Sequence, residues 1–123
     1  MPAINPQYLA HKCVEENTVI AQEAIARCLA VDMDGNIVTT PGSYVYGFAL
    51  FDVEANKPLT VETMGECIAL SGAPITKGID LANDADGKLI PAAAGQNIVG
   101  RAIEDVAAAD QYFILKKTDE GTK

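Results

Sequence analysis

The 123-residue chain contains no tryptophan, one histidine (His11) and three cysteines (Cys13, Cys28, Cys67), and only 6% of its residues are aromatic. Each scarcity removes a class of answer. A lone histidine and cysteines without C-x-x-C spacing offer no zinc site. Three scattered cysteines are too few for a disulfide framework, so reduced thiols are expected. Lys and Arg total 9 against 17 Asp and Glu, a formal net charge of −8. Phosphate recognition needs clustered cations, as does an anionic bilayer, so neither nucleic acid nor membrane is expected as a partner. No apolar run nears the ~20 residues of a bilayer span. The opening Met1-Pro2-Ala3-Ile4-Asn5-Pro6 lacks the basic and apolar regions of a secretory signal, so synthesis in the cytoplasm is expected.

Catalytic constellations are missing too. There is no Gly-rich phosphate loop, Ser-His-Asp set or dinucleotide fingerprint. His11 and Cys13 are close in sequence but lie on a stretch with nothing to hold them in geometry. Cys28 and Cys67 sit among apolar neighbours and are read as small buried hydrophobes. The pairs Glu15-Glu16 and Glu104-Asp105 are adjacent, so on a strand they point to opposite faces and do not converge. No enzyme activity, cofactor or metal is expected.

What is present is apolar content (49% hydrophobic residues) arranged with an internal repeat. Leu29-Ala30-Val31-Asp32-Met33-Asp34-Gly35 recurs as Leu81-Ala82-Asn83-Asp84-Ala85-Asp86-Gly87 at an offset of 52. Gly47-Phe48-Ala49-Leu50-Phe51-Asp52-Val53-Glu54-Ala55 recurs as Gly100-Arg101-Ala102-Ile103-Glu104-Asp105-Val106-Ala107-Ala108 at an offset of 53, and Gly42 then meets Gly95. Half of this chain is too small for its own core, so the copies are expected to form one pseudo-symmetric domain.

Within each copy the periodicity is mostly that of strands. Asp34-Gly35 and Asp86-Gly87 are two-residue turn signals, and Gly47 and Gly100 are assigned with them to structural turns. Tyr44 to Phe51 and Tyr112 to Leu115 are β-branched and aromatic. Pro58 to Thr63 alternates and then meets a Met64-Gly65 turn before Glu66 to Leu70. Residues 18–30 carry Ile20, Ala24 and Cys28 at helical spacing; their counterpart Gly78 to Leu81 favours strand. The Asp-x-Asp-Gly loops lack the further oxygen ligands and terminal glutamate of an EF-hand, so Asp and Gly serve turn geometry.

These patterns predict a mainly β, compact barrel- or sandwich-like body of short strands at residues 18–117, with pseudo-repeats at about 24–70 and 76–117. Residues 1–17 read as an extended N-terminal arm whose Ile4, Tyr8 and Leu9 need a surface to lie on, and 118–123 as a frayed tail. Tyr44, Tyr46 and Phe48 share one face if this is a strand. Phe48 suits a core, whereas Tyr44 and Tyr46 suit an interface, having apolar bodies and polar tips.

The segments Asp52-Val53-Glu54-Ala55-Asn56-Lys57-Pro58-Leu59-Thr60-Val61-Glu62-Thr63-Met64-Gly65 and Asp86-Gly87 through Val99-Gly100-Arg101-Ala102-Ile103-Glu104-Asp105 resemble the capsid cement, or head decoration, proteins of tailed bacteriophages. Such proteins carry a D-V-x-A-G-x-P-V-x-V segment and a later V-G-x-A-x-E/D segment; the likeness covers roughly residues 24–117. Asn56 stands where the family has Gly, and Asn tolerates positive φ. Lys77-Gly78-Ile79-Asp80 departs where a Gly-Asp pair is usual. The resemblance implies a non-enzymatic protein of the virion, on the outer capsid surface, that binds the major capsid protein of a phage head as a homotrimer. Ile4, Tyr8, Leu9, Tyr44 and Tyr46 are then the candidate capsid or trimer contacts. The alternative is a small-ligand or carbohydrate-binding β module without catalysis.

Overall fold

A computed structural model describes residues 13–118 and 121–123. Its strands are β1 (Cys13–Ile20), β2 (Ala30–Val31), β3 (Gly47–Ala49), β4 (Pro58–Leu70), β5 (Asp80–Asn83), β6 (Leu89–Pro91), β7 (Gly100–Ala102) and β8 (Tyr112–Lys117). No helix occurs among the described residues. One sheet runs β2-β3-β4-β8-β7-β5-β6, every neighbour antiparallel, with β1 added alongside β4. Its ends approach: the Ala30 N–H donates to Gly87 O at 2.8 Å, and Ser71 forms a parallel bridge with Leu89. The mainly β body is thus a nearly closed barrel, and the unpaired edges that threaten an open sheet are reduced.

β4 organises the molecule. Its alternation places Leu59 and Val61, then Cys67 and Ala69, in the interior. The turn expected at Met64-Gly65 does not form. Gly65 adopts φ +89 inside a continuous strand and pairs with Cys13 on one side and Lys117 on the other. The register of β1 slips opposite this point, between Cys13 and Glu16. A glycine kink with a bulge re-aims a strand without ending it.

The pairings recur along the chain. Ala30↔Phe48 and Val31↔Gly47 in the first half correspond to Asp80↔Arg101 and Leu81↔Gly100 in the second. Phe48↔Glu62 and Ala49↔Val61 correspond to Arg101↔Lys116 and Ala102↔Leu115. Thr18↔Thr60 corresponds to Ile68↔Ile114, so β1 plays in the first half the part that the end of β4 plays in the second. The boundary drawn at residue 17 therefore falls inside a paired strand. Sequence identity aligned Ala30 with Ala82, whereas pairing matches it with Asp80. The extra residues of the second half lie just before the Asp84 loop.

Two other expectations change. Gly47 and Gly100 are not turn residues but lie in β3 and β7. A Cβ on Gly47 would stand 2.4 Å from Glu62 O, and one on Gly100 2.1 Å from Lys116 O, so glycine is there to let neighbouring backbones close up. The tail also docks: Gly121 O accepts from the Ile98 N–H at 2.6 Å, and the Lys123 N–H donates to Gln96 O at 2.8 Å. Backbone partners and the Lys123–Asp80 ion pair, rather than apolar side chains, hold residues 121–123.

The region 21–29 is irregular, tied by an Ile25↔Val53 bridge and by Cys28 at φ 68. Asn56, at the family's glycine position, has φ 66. Ala21, Ile25, Val31, Ala49, Leu59 and Val61 form one buried cluster. A larger one gathers Ile75, Leu81, Ala102, Phe113 and Leu115 with Phe48, Val45 and Leu89.

Candidate interaction surface

The two Asp-Gly loops are built alike. Asp32 Oδ1 accepts the backbone N–H groups of Asp34 (2.9 Å) and Asn36 (3.0 Å). Asp84 Oδ1 accepts those of Asp86 (2.8 Å) and Lys88 (3.0 Å). Gly35 and Gly87 follow at φ 90 and 76. One oxygen of each inner carboxylate is thus committed to holding its own turn. Asp34 and Asp86 are exposed.

Beside the first loop lies an open cleft of about 640 Å³. Its walls include Glu23, Asp32, Met33, Asp34, Ile37 and Tyr44, and no lysine or arginine among the described residues lines it. Glu23 is placed there by its Oε2, which accepts the Ile37 N–H at 3.2 Å. Met33 is 60% exposed and Tyr44 47%, so both offer apolar surface to the cleft. Behind Tyr44, the buried Lys117 sets its ammonium 6.0 Å from the ring centroid, a cation–π distance that steadies the ring.

The predicted interface residues divide. Tyr44 lines the cleft, whereas Tyr46 is half-buried against the smaller cluster. Phe48 enters the larger cluster, so the three do not share one face; regular strand begins only at Gly47. Ile4, Tyr8, Leu9 and His11 lie outside the described residues. Met33 and Glu23 were missed by sequence reasoning. The available signal was Met33 itself, an apolar residue between two turn aspartates where the other copy has Ala85. Val14 (77% exposed), near the start of β1, and Met64, which pairs with Glu15, are also exposed.

The thiols are chemically quiet. Burial, followed by the Glu62 carboxylate, pushes the Cys13 thiol up to about 11 and the Cys28 thiol up to about 12. A nucleophilic cysteine needs the opposite, a depressed pKa in an electropositive setting. Across the molecule, Asp80 binds Arg101 Nε at 3.3 Å and Lys123 Nζ at 3.2 Å. The hydrogen bond from Lys123 leads in holding the Asp80 carboxyl below its usual value. This surface is suited to recognition, with no nucleophile–base pair assembled among the described residues.

Comparison with known proteins agrees with that reading. The family model described as phage cement protein matches residues 11–117. A solved structure, the head fiber gp8.5 N base of bacteriophage phi29, superposes with a TM-score of 0.67 at 19% identity, covering 89% of this chain and 98% of that one. At that identity the likeness is one of fold. No curated protein matches the sequence.

Proposed function

Because the chain belongs to the phage cement protein family, a group of structural, non-catalytic proteins of the phage head, we propose that it decorates the outside of the assembled head and resists its rupture. The observation that carries this reading is the family match, which spans nearly the whole described body. The surface chemistry supports it: a net charge of −8 is poorly suited to packaged DNA and compatible with an outer face. Its partner is the major capsid protein, and its working form is a homotrimer. The chain is made in the cytoplasm of the bacterial host and ends in the virion.

The mechanism is mass action. A protein that binds only the assembled shell lowers the free energy of that state relative to its disassembled parts. Each contact can be small, below ~800 Å², and three linked contacts in a trimer supply avidity. Tyr44 and Tyr46 belong to the shell or trimer contacts. An N-terminal arm, through Ile4, Tyr8 and Leu9, reaches a neighbouring subunit or the shell.

Co-sedimentation with expanded, empty heads tests this reading, and light scattering tests the trimer. Saturable binding to expanded heads, with little to free capsid subunits, is expected. Deleting residues 1–12 should lower occupancy while leaving the melting transition in place. Failure of the intact protein to pellet with any head would reject the proposal.

A further inference from the structure

The two Asp-Gly loops share a backbone and differ in electrostatics. In the second, Ala85 replaces the apolar Met33, and Lys88 stands where the first has Asn36. Lys88 Nζ reaches Asp110 Oδ1 at 2.7 Å, and that hydrogen bond leads in raising its pKa. The second loop thus carries its own cation. The cleft beside the first is lined by the carboxylates of Glu23, Asp32 and Asp34, with no lysine or arginine among its lining residues. The buried Lys117 stands 6.0 Å from the centroid of the Tyr44 ring at the border of this cleft, but no described lysine or arginine enters it.

We propose that this cleft, between the Asp32–Asn36 loop and Tyr44, is the docking site for a lysine- or arginine-bearing segment of the shell protein. The inference rests on the head-decorating role proposed above. Its chemistry is two-part. The methylene stem of a long cationic side chain packs on Met33 and Tyr44, and its charged end reaches Asp34 and Glu23. The site is pre-formed: Asp32 fixes the loop through two backbone hydrogen bonds, the Ile37 N–H holds the Glu23 carboxylate, and Lys117 backs the Tyr44 ring. Little conformational entropy is then lost on binding. Complementary charge also speeds encounter and penalises acidic partners. A volume of about 640 Å³ admits a few side chains, not a folded domain.

The test uses the full-length protein and emptied heads stripped of it, with co-sedimentation between 50 and 300 mM NaCl. One variant combines Glu23→Gln, Met33→Ala and Asp34→Asn; Gln keeps the acceptor for the Ile37 N–H, and Asp32 is untouched. A second variant, Asp34→Lys, reverses one exposed charge and guards against misfolding of the first. The control is Asp86→Asn in the other loop. Binding weakened at least tenfold in both cleft variants, a flatter salt dependence in the triple variant and an unchanged control would support the site. Cleft variants that melt as the parent does and bind with its affinity and salt slope would overturn the site and leave head decoration standing. Absence of binding by the parent overturns both. If the cleft variants instead lose self-association while their subunits still bind heads, the cleft is a contact between copies and the proposal falls.

Discussion

Two rows of residues occupy corresponding places in the two halves and meet opposite fates. In the second half the row Asp80-Arg101-Lys116-Glu66 crosses β5, β7, β8 and β4 as charged side chains in or near water. In the first half the matching row is Ala30-Phe48-Glu62-Glu16, and its first three members are buried. Phe48 joins the cluster built around Phe113 and Leu115 of the other half. Backbone register is therefore shared by the halves while burial is not. One half lends its outer row to the common core; the other keeps its own as a wet row of charges in which Asp80 and Arg101 are paired. A shared pairing pattern supplies the scaffold, and unequal side chains give the two halves different surroundings.

That comparison can be broken at several points. The largest effect falls where the halves agree. Gly100→Ala drives a Cβ onto Lys116 O and Gly47→Ala onto Glu62 O. Both should cost ~3 kcal/mol or more, since strand backbone must yield; a denaturant melt of either variant with an unshifted midpoint would refute the close-approach account. Next come the unequal partners Phe48 and Arg101. Phe48→Ala should lose about 3–5 kcal/mol to an unfilled core. Arg101→Ala, with a side chain 54% exposed in its ion pair, should lose less than ~1 kcal/mol. Equal losses would mean the rows are not differently buried.

Smaller again is the loop pair. Asp32→Ala and Asp84→Ala each remove an acceptor of two backbone N–H groups and should each cost ~1–2 kcal/mol by thermal melting. A loss confined to one loop would show that the turns are not equivalent. The smallest concerns pH. Asp80 has its folded pKa lowered, chiefly by the Lys123 hydrogen bond. Its stabilisation is present above the ordinary aspartate value, ~3.9, and is lost as pH falls through the folded value. Lys123→Ala should therefore lower the melting temperature slightly at pH 7 and merge with the parent as pH falls below the ordinary aspartate value, which gives a shallower acid limb; an identical acid limb would remove the ion pair from consideration.

Much of this was legible in the sequence, and the reasons for the remainder are physical. The β class, the Asp-Gly turns and the family likeness all follow from short-range chemistry. Turn residues and alternating apolar positions act locally, so they can be read locally. Gly65 misled because a glycine that kinks a strand and a glycine that ends one look identical until the partners on both sides are known. Gly47 and Gly100 misled for a related reason: close approach by a neighbouring strand leaves no local mark. The identity between Ala30 and Ala82 set the repeat out of register, since two residues in the second half shift β5 against the loop that follows it. The candidate cleft was half visible. Tyr44 was marked by its type, but Glu23 and Met33 are brought to it by loops separated in sequence.

β4 belongs to both units at once, giving its first part to β1 and β3 and its later part to β8. A force directed along this strand would load the bonds to both units together in shear instead of parting them one by one like a zipper. A girder spliced through two bays fails only when both give way.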